Sequence, residues 1–207
     1  NATGYAIEEG IKTSLGLGLI DKKVIDSMLI NPLDRVTWSE RLATNADVYV
    51  TQIKSELARG LIQGEGYSKI AKKITEQTKL SADKTIRIVR TEGHRVQSTA
   101  RLIQTEKAKG AAERLGMKLK KIWVATNDDR TRDRHAEMDG VEADDDGVFT
   151  LPDGVTTDGP GLSGVAEHDI NCRCTVRTEF VDIPQDVGEA ADDKSYDDWK
   201  DSKKGTK

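Results

Sequence analysis

The chain has 207 residues, which suffices for one or two modest domains with a buried core. Hydrophobic residues make up 36% of it and aromatic residues only 4%, so the core is expected to be aliphatic and largely helical. No run of about 18 apolar residues occurs, which excludes a membrane-spanning helix. Two cysteines are too few for a disulfide framework and indicate assembly in a reducing compartment. Because the chain opens at Asn1 rather than at methionine, an upstream segment is expected to be missing.

The charge is segregated along the chain, although the formal net charge is only −4. Residues 1–68 carry 7 basic and 9 acidic side chains, and residues 69–121 carry 15 basic and 5 acidic side chains, a net of +10. Residues 122–207 carry 10 basic and 22 acidic side chains, a net of −12. The basic block favours contact with phosphates, whereas the alternative is the solvated face of a long helix.

The first half of the chain has the pattern of helices. Residues 5–30 predict two short helices, and Pro32 predicts a turn at 31–34. A long helix follows, because one apolar stripe recurs at three- and four-residue spacing through Trp38, Leu42, Ala46, Tyr49, Ile53, Leu57 and Leu61. A shorter helix starts at Tyr67.

The next helix is predicted to be the longest, from an N-cap at Ser81 to about Gly116. It contains Gly93 and Gly110, which should each weaken it by about 1 kcal/mol and suit close packing against another element.

After Gly116 the pattern changes to short strands. Strands are predicted at 118–126, 147–152 and 172–180, with a short helix in RDRHAEMD and a loop rich in glycine, aspartate and proline before the third strand. The charged tail beyond Pro184 should be disordered in isolation. The predicted fold class is therefore α+β: a mainly helical N-terminal region with long helices, followed by a small α+β domain with a short β-sheet. The predicted divisions are 1–66, 67–183 and 184–207.

The third predicted strand places both cysteines on one face. With two histidines they make a possible tetrahedral zinc set of two nitrogens and two sulfurs: His135, His168, Cys172 and Cys174. C-x-C is not a typical zinc spacing, and reduced cysteines are commonly small buried hydrophobes. Zinc ligands and core thiols therefore stay open as interpretations, and in either case we expect His135 to lie near the thiols.

Two enzyme interpretations are also open. His135-Ala136-Glu137 followed by Cys172 and Cys174 resembles the zinc deaminase signature H-x-E then P-C-x-x-C, but here the pair is C-x-C and Asn171 stands where the proline would be. A nuclease would combine His168 or His135 with Asp128 or Asp129. The sequence contains no G-x-S-x-G, no P-loop and no G-x-G-x-x-G motif.

The segment DRTRDRHAEMDG, residues 129–140, is unusually dense in charge. It predicts a salt-bridged polar hub that is joined by RTE at 90–92, because buried charged groups need partners. The predicted members of the hub are Arg90, Thr91, Glu92, Asp128, Arg130, Thr131, Arg132, His135 and Asp139. We expect Arg90 or Glu92 to lie within hydrogen-bond distance of residues 128–140.

Three blocks together, RTEGHR, IWVATNDDRTRDRHAEMDG and NCRCTV, resemble the Mu F-like family of phage head morphogenesis proteins in order and spacing. The resemblance covers residues from about 60 to 180. One departure is Asp169, where the family pattern H-P-x-C-R-C has proline, and we expect it to loosen the turn before the strand.

The resemblance implies a phage minor head protein, a low-copy structural component of the capsid interior near the portal that is made in the host cytoplasm. Its implied roles are procapsid assembly, genome packaging or ejection, with no catalytic residue, no membrane contact and no required cofactor. Its implied partners are the portal protein, the major capsid or scaffolding protein, and double-stranded DNA bound without sequence preference. The expected DNA contacts are Lys69, Lys72, Lys73, Lys79, Arg87, Lys107 and Lys109.

Overall fold

A computed structural model of the chain describes residues 2–11, 15, 17, 23–24, 46–78, 80–184 and 195–203. The second predicted short helix, the turn at 31–34 and the Trp38 end of the long helix lie outside these residues, apart from a helical pair at 23–24. Within them, no helix is both long and apolar enough to cross a membrane.

The predicted α+β class is confirmed. The helices are α1 (Ala2–Ile11), α2 (Ala46–Ile62), α3 (Tyr67–Thr78), α4 (Ala82–Arg114), α5 (Asp133–Ala136), α6 (Ala166–Asp169) and α7 (Tyr196–Ser202). The strands are β1 (Lys118–Val124), β2 (Phe149–Thr150), β3 (Thr156–Thr157) and β4 (Thr175–Val181). The third predicted strand thus begins after the cysteines, β3 forms inside the loop DGVTTDGPGLSG, and α6 follows that loop.

The chain folds as two compact units. The first unit comprises residues 1–20, 99–159 and 174–207, and the second comprises residues 21–98 and 160–173. These limits do not coincide with the predicted divisions at 66/67 and 183/184, which stay predictions about the organisation of the sequence.

In the second unit, helices α2 and α3 pack against each other. The predicted stripe of α2 is buried at Ile53 and Leu57, and α3 buries Ile70 and Ile74. Gly60 permits the contact, because a Cβ atom at this position would lie 2.4 Å from Cγ1 of Ile70. Contact this close requires glycine on one of the two helices.

The two glycines inside α4 play different parts. A Cβ atom on Gly93 would lie 2.8 Å from Cε1 of Tyr67, so the expectation of close packing is confirmed there. Gly110 has nothing within 4 Å of the corresponding position, so the same expectation is wrong there. Only Gly93 therefore has a steric reason to be glycine.

We expect opposite effects when each glycine is changed to alanine. Gly93→Ala should lower the free energy of unfolding by about 1–2 kcal/mol, because the clash with Tyr67 outweighs the gain in helix propensity. Gly110→Ala should raise it by up to about 1 kcal/mol through helix propensity alone. Urea denaturation of both variants measures the difference, and equal shifts of the two would contradict the packing described for Gly93.

The first unit is organised around β1. β4 pairs with it antiparallel along its whole length, from Lys118 opposite Val181 to Val124 opposite Thr175. The other edge is bonded by the segment 140–143, where Trp123 donates to the carbonyl of Val141 over 2.9 Å and Gly140 donates back to the carbonyl of Trp123 over 2.9 Å. Gly140 has φ of 78°, which explains glycine at this turn.

The end of the chain folds onto its beginning in the first unit. Trp199 of α7 is only 4% exposed, and its Nε1 donates to Oε2 of buried Glu8 over 2.5 Å. Glu8 also accepts from the backbone amides of Leu15 and Leu17. The prediction of a disordered tail is therefore wrong for residues 195–203, because one tryptophan supplies both the apolar surface and the hydrogen bond that dock α7.

Candidate functional site

The charged segment 129–140 builds a corner directly after β1. Asp139 Oδ1 accepts from the backbone amide of Ala125 over 2.8 Å, and Asp128 Oδ1 accepts from the amide of Arg130 over 3.1 Å. Thr131 donates its hydroxyl to the carbonyl of Thr126. These bonds satisfy the backbone of the loop locally, so that the chain can reverse and return along β1.

Two ion pairs lie in or beside this corner. Arg130 pairs with Asp128 over 3.5 Å, and Arg134 pairs with Asp153 over 2.6 Å. Both arginine side chains are exposed, so each pair should contribute little to stability. Carboxylate and hydroxyl bonds to the backbone shape the corner.

The RTE block lies on α4 in the second unit. Glu92 is buried and accepts from Nε of Arg95 over 2.9 Å, and Thr91 accepts from the backbone amide of Asn171 over 3.1 Å. Arg90 is exposed. That Arg90 or Glu92 reaches residues 128–140 stays a prediction.

The corner presents one histidine to the interior of the first unit. His135 of α5 is 2% exposed, and the edge of its ring meets Trp123 at a centroid distance of 5.6 Å. Trp123 in turn meets Phe149 at 5.4 Å. Nδ1 of His135 lies 3.6 Å from Sγ of Cys174.

Both cysteines are buried and carry free thiols. Arg173 between them is exposed, so burial alternates along this segment and both thiols lie in the interior. Within the described residues, the set of side chains that together could hold a metal ion is His135, Cys172 and Cys174. His168 is also buried, but it is not a member of this set.

Asp169 has a role that the sequence did not reveal. The expectation that it replaces the proline of H-P-x-C-R-C is wrong when counted back from Cys172, because that position is Ile170. It is 2% exposed, and Oδ1 accepts from the hydroxyl of Ser163 over 2.8 Å while Oδ2 accepts from the amide of Gly164 over 2.8 Å. The expectation that Asp169 loosens this turn is wrong, because its carboxylate ties the end of the glycine-rich loop to α6. The S-G spacing before a buried aspartate is the only signal of this in the sequence.

Glu137 keeps the H-x-E spacing of the zinc deaminase signature, two residues after His135. It lies at the C-terminal cap of α5 and is exposed, whereas His135 is buried.

The predicted DNA contacts separate into paired and unpaired side chains. Lys69 and Lys73 lie 2.9 and 2.7 Å from Glu65 Oε1, and their hydrogen bonds lower the pKa of Glu65.

The other predicted contacts differ in their surroundings. Lys109 Nζ lies 3.4 Å from the carbonyl of Asp145. Lys79 lies outside the described residues. Lys72, Arg87 and Lys107 are exposed and have no ion pair within the part of the chain that is described.

Lys121 of β1 is a buried lysine that the sequence did not single out. Its side chain is 7% exposed, and Nζ lies 3.4 Å from the carbonyl of Asp158 and 3.8 Å from Glu106 Oε1. Burial lowers the pKa of Lys121, and the attraction of Glu106 offsets this only in part.

The lowered pKa of Lys121 predicts how the free energy of unfolding depends on pH. The cost of burying the charge is present in full below the pKa of the folded state, and it is relieved as pH rises from that pKa towards 10.5, because only the unfolded chain then keeps the proton. Lys121→Met should therefore be more stable than the parent at pH 7, and the two should converge as pH rises through this window.

Urea denaturation of both proteins between pH 7 and about pH 10.5 measures the convergence. The matched control is Lys118→Met, which replaces an exposed lysine on the same strand. The difference in free energy of unfolding between this variant and the parent should not shrink as pH rises. A constant difference between Lys121→Met and the parent would contradict the assignment.

Three comparisons with known proteins bear on this chain. Residues 51–177 match the family described as Phage Mu protein F like protein. The chain is 36% identical over 202 residues to the NAD(+)--arginine ADP-ribosyltransferase EFV of Enterococcus faecalis, across 94% of this chain and 40% of that protein. It is 32% identical over 174 residues to the minor head protein GP7 of Bacillus phage SPP1, across 84% of this chain and 55% of that protein. The chain thus spans about half the length of the curated relatives it matches, and no solved structure matches it.

Proposed function

The chain belongs to the Phage Mu protein F like family, and we propose that it acts as a minor head protein that is incorporated into the phage capsid. The observation that carries the proposal is that the family match spans residues 51–177, including the polar corner and the C-R-C segment. The likeness to a minor head protein over 84% of the chain supports the same role. On this proposal, the protein is a structural component of the virion.

The likeness to an ADP-ribosyltransferase does not favour transferase activity in this chain. Nearly the whole chain aligns both with that protein and with a minor head protein, so the region that the two relatives share is the region present here. The matched region is only 40% of the transferase. We therefore infer that this chain has the function of the region that both relatives share. We expect no transfer of ADP-ribose from NAD⁺ to an arginine acceptor.

The capsid role is tested on purified heads of the phage that carries this chain. Quantitative mass spectrometry should find the chain in few copies relative to the major capsid protein. Protease treatment should leave it intact in closed heads and digest it in opened heads, because the proposed location is the capsid interior. Its absence from purified heads, or digestion in closed heads, would overturn the proposed location.

We further propose that the chain meets the portal protein and contacts packaged DNA without sequence preference. Lys72, Arg87 and Lys107 are the exposed cations best placed to neutralise phosphates, because Lys69 and Lys73 are already paired with Glu65. Co-expression of the chain with its cognate portal protein tests the first contact, and a stable complex on size-exclusion chromatography is the expected result.

The DNA proposal predicts a measurable salt dependence. Three phosphate contacts should weaken binding to a random duplex by about 40-fold between 50 and 200 mM salt, whereas six contacts would weaken it by roughly a thousand-fold. Lys72→Gln and Arg87→Gln should each reduce the slope of log affinity against log salt by about one.

The control for this titration is Lys73→Gln on the same helix as Lys72, which should leave the slope unchanged because Glu65 already holds that ammonium group. Affinity that does not depend on salt, or no binding at low salt, would show that these residues form a solvated surface instead.

A further inference from the structure

We infer that His135, Cys172 and Cys174 bind one zinc ion, which would be a structural metal site of this chain. Both of its cysteines and one of its three histidines belong to this set. All three side chains are buried. Imidazole nitrogen and thiol sulfur are also ligands that zinc prefers in proteins.

The distance between His135 and Cys174 fits shared zinc ligation. With Zn–S of about 2.3 Å and Zn–N of about 2.0–2.1 Å at a tetrahedral angle, the sulfur and the nitrogen lie about 3.6 Å apart. The observed separation of Sγ and Nδ1 is 3.6 Å. The two atoms therefore have the spacing of two ligands before any movement of the chain.

The neighbouring chain constrains the positions of all three ligands, including the third, Cys172. Cys172 precedes Cys174 by two residues, and burial alternates across the exposed Arg173 between them. The ligand atoms of Cys172, Cys174 and His135 all lie within 4.8 Å of one another. β4 begins directly after this segment at Thr175, so its pairing with β1 fixes the position of Cys174. On the other side, the edge contact with Trp123 fixes the ring of His135.

The alternative is a hydrogen bond between a protonated thiol and His135 in a metal-free core. The two cases differ in chemistry, because zinc ligation removes the thiol protons and the bare hydrogen bond keeps them. Three protein ligands leave one position of the tetrahedron to water or to an external ligand. We assign the metal a structural role because all three protein ligands are buried.

The test begins with the full chain purified without chelators. Elemental analysis should find about one zinc per chain, with little iron or copper. Replacement of zinc by Co²⁺ should give the intense visible bands of a tetrahedral site and a near-ultraviolet band from thiolate bonded to cobalt. The absence of stoichiometric metal, or a cobalt spectrum without the thiolate band, would overturn the inference, and neither measurement depends on a variant.

Variants then assign the ligands. Cys174→Ser, Cys172→Ser and His135→Asn should each lower the zinc affinity by at least about 10-fold in a competition with a chromogenic chelator, and circular dichroism reports whether each variant is folded. The matched control is His168→Asn, a buried histidine outside the set, which should keep its zinc. Loss of zinc from folded His168→Asn, or retention of zinc by folded Cys174→Ser, would contradict the assigned ligands.

Discussion

The first unit depends on one constraint, which is that the backbone of β1 is hydrogen-bonded on both edges. β4 covers one edge along seven residue pairs, and the segment 140–143 covers the other. An extended strand with both edges bonded cannot slip by one residue without turning every side chain to the opposite face. The register therefore fixes Trp123 in the core, and with it the aromatic contacts to His135 and Phe149.

The dense charge of residues 129–140 is explained by the geometry of this second edge. A chain that leaves β1 and returns beside it within about fifteen residues must satisfy many backbone groups in a small space. Asp139 and Asp128 accept backbone amides, and Thr131 donates to a backbone carbonyl, so these side chains replace a regular ladder. Arg130 and Arg134 are exposed, whereas the acids and the hydroxyl bond to the backbone and shape the corner.

Helical periodicity allowed the fold class and the limits of the central helices to be predicted, because α2, α3 and α4 each bury a stripe that recurs along the sequence. The short strands β2 and β3 were harder, since two-residue pairings leave no alternation to detect. Trp199 was missed because a single buried tryptophan in a charged tail gives no periodic signal, and its partner Glu8 lies 191 residues away. Of the candidate site, C-R-C and His135 were evident as residue types, whereas the role of Asp169 required the position of the loop that it binds.

Asp169 shows how one buried carboxylate can define the path of a loop. Ser163 and Gly164 donate to it from the other end of the loop, so both ends of the segment 163–169 are held together in the folded state. Since Asn171 follows at φ of 56° and donates to Thr91, the three residues before Cys172 are held from two sides. The approach of the chain to the C-R-C segment is thereby defined by hydrogen bonds, and both thiols of that segment are buried.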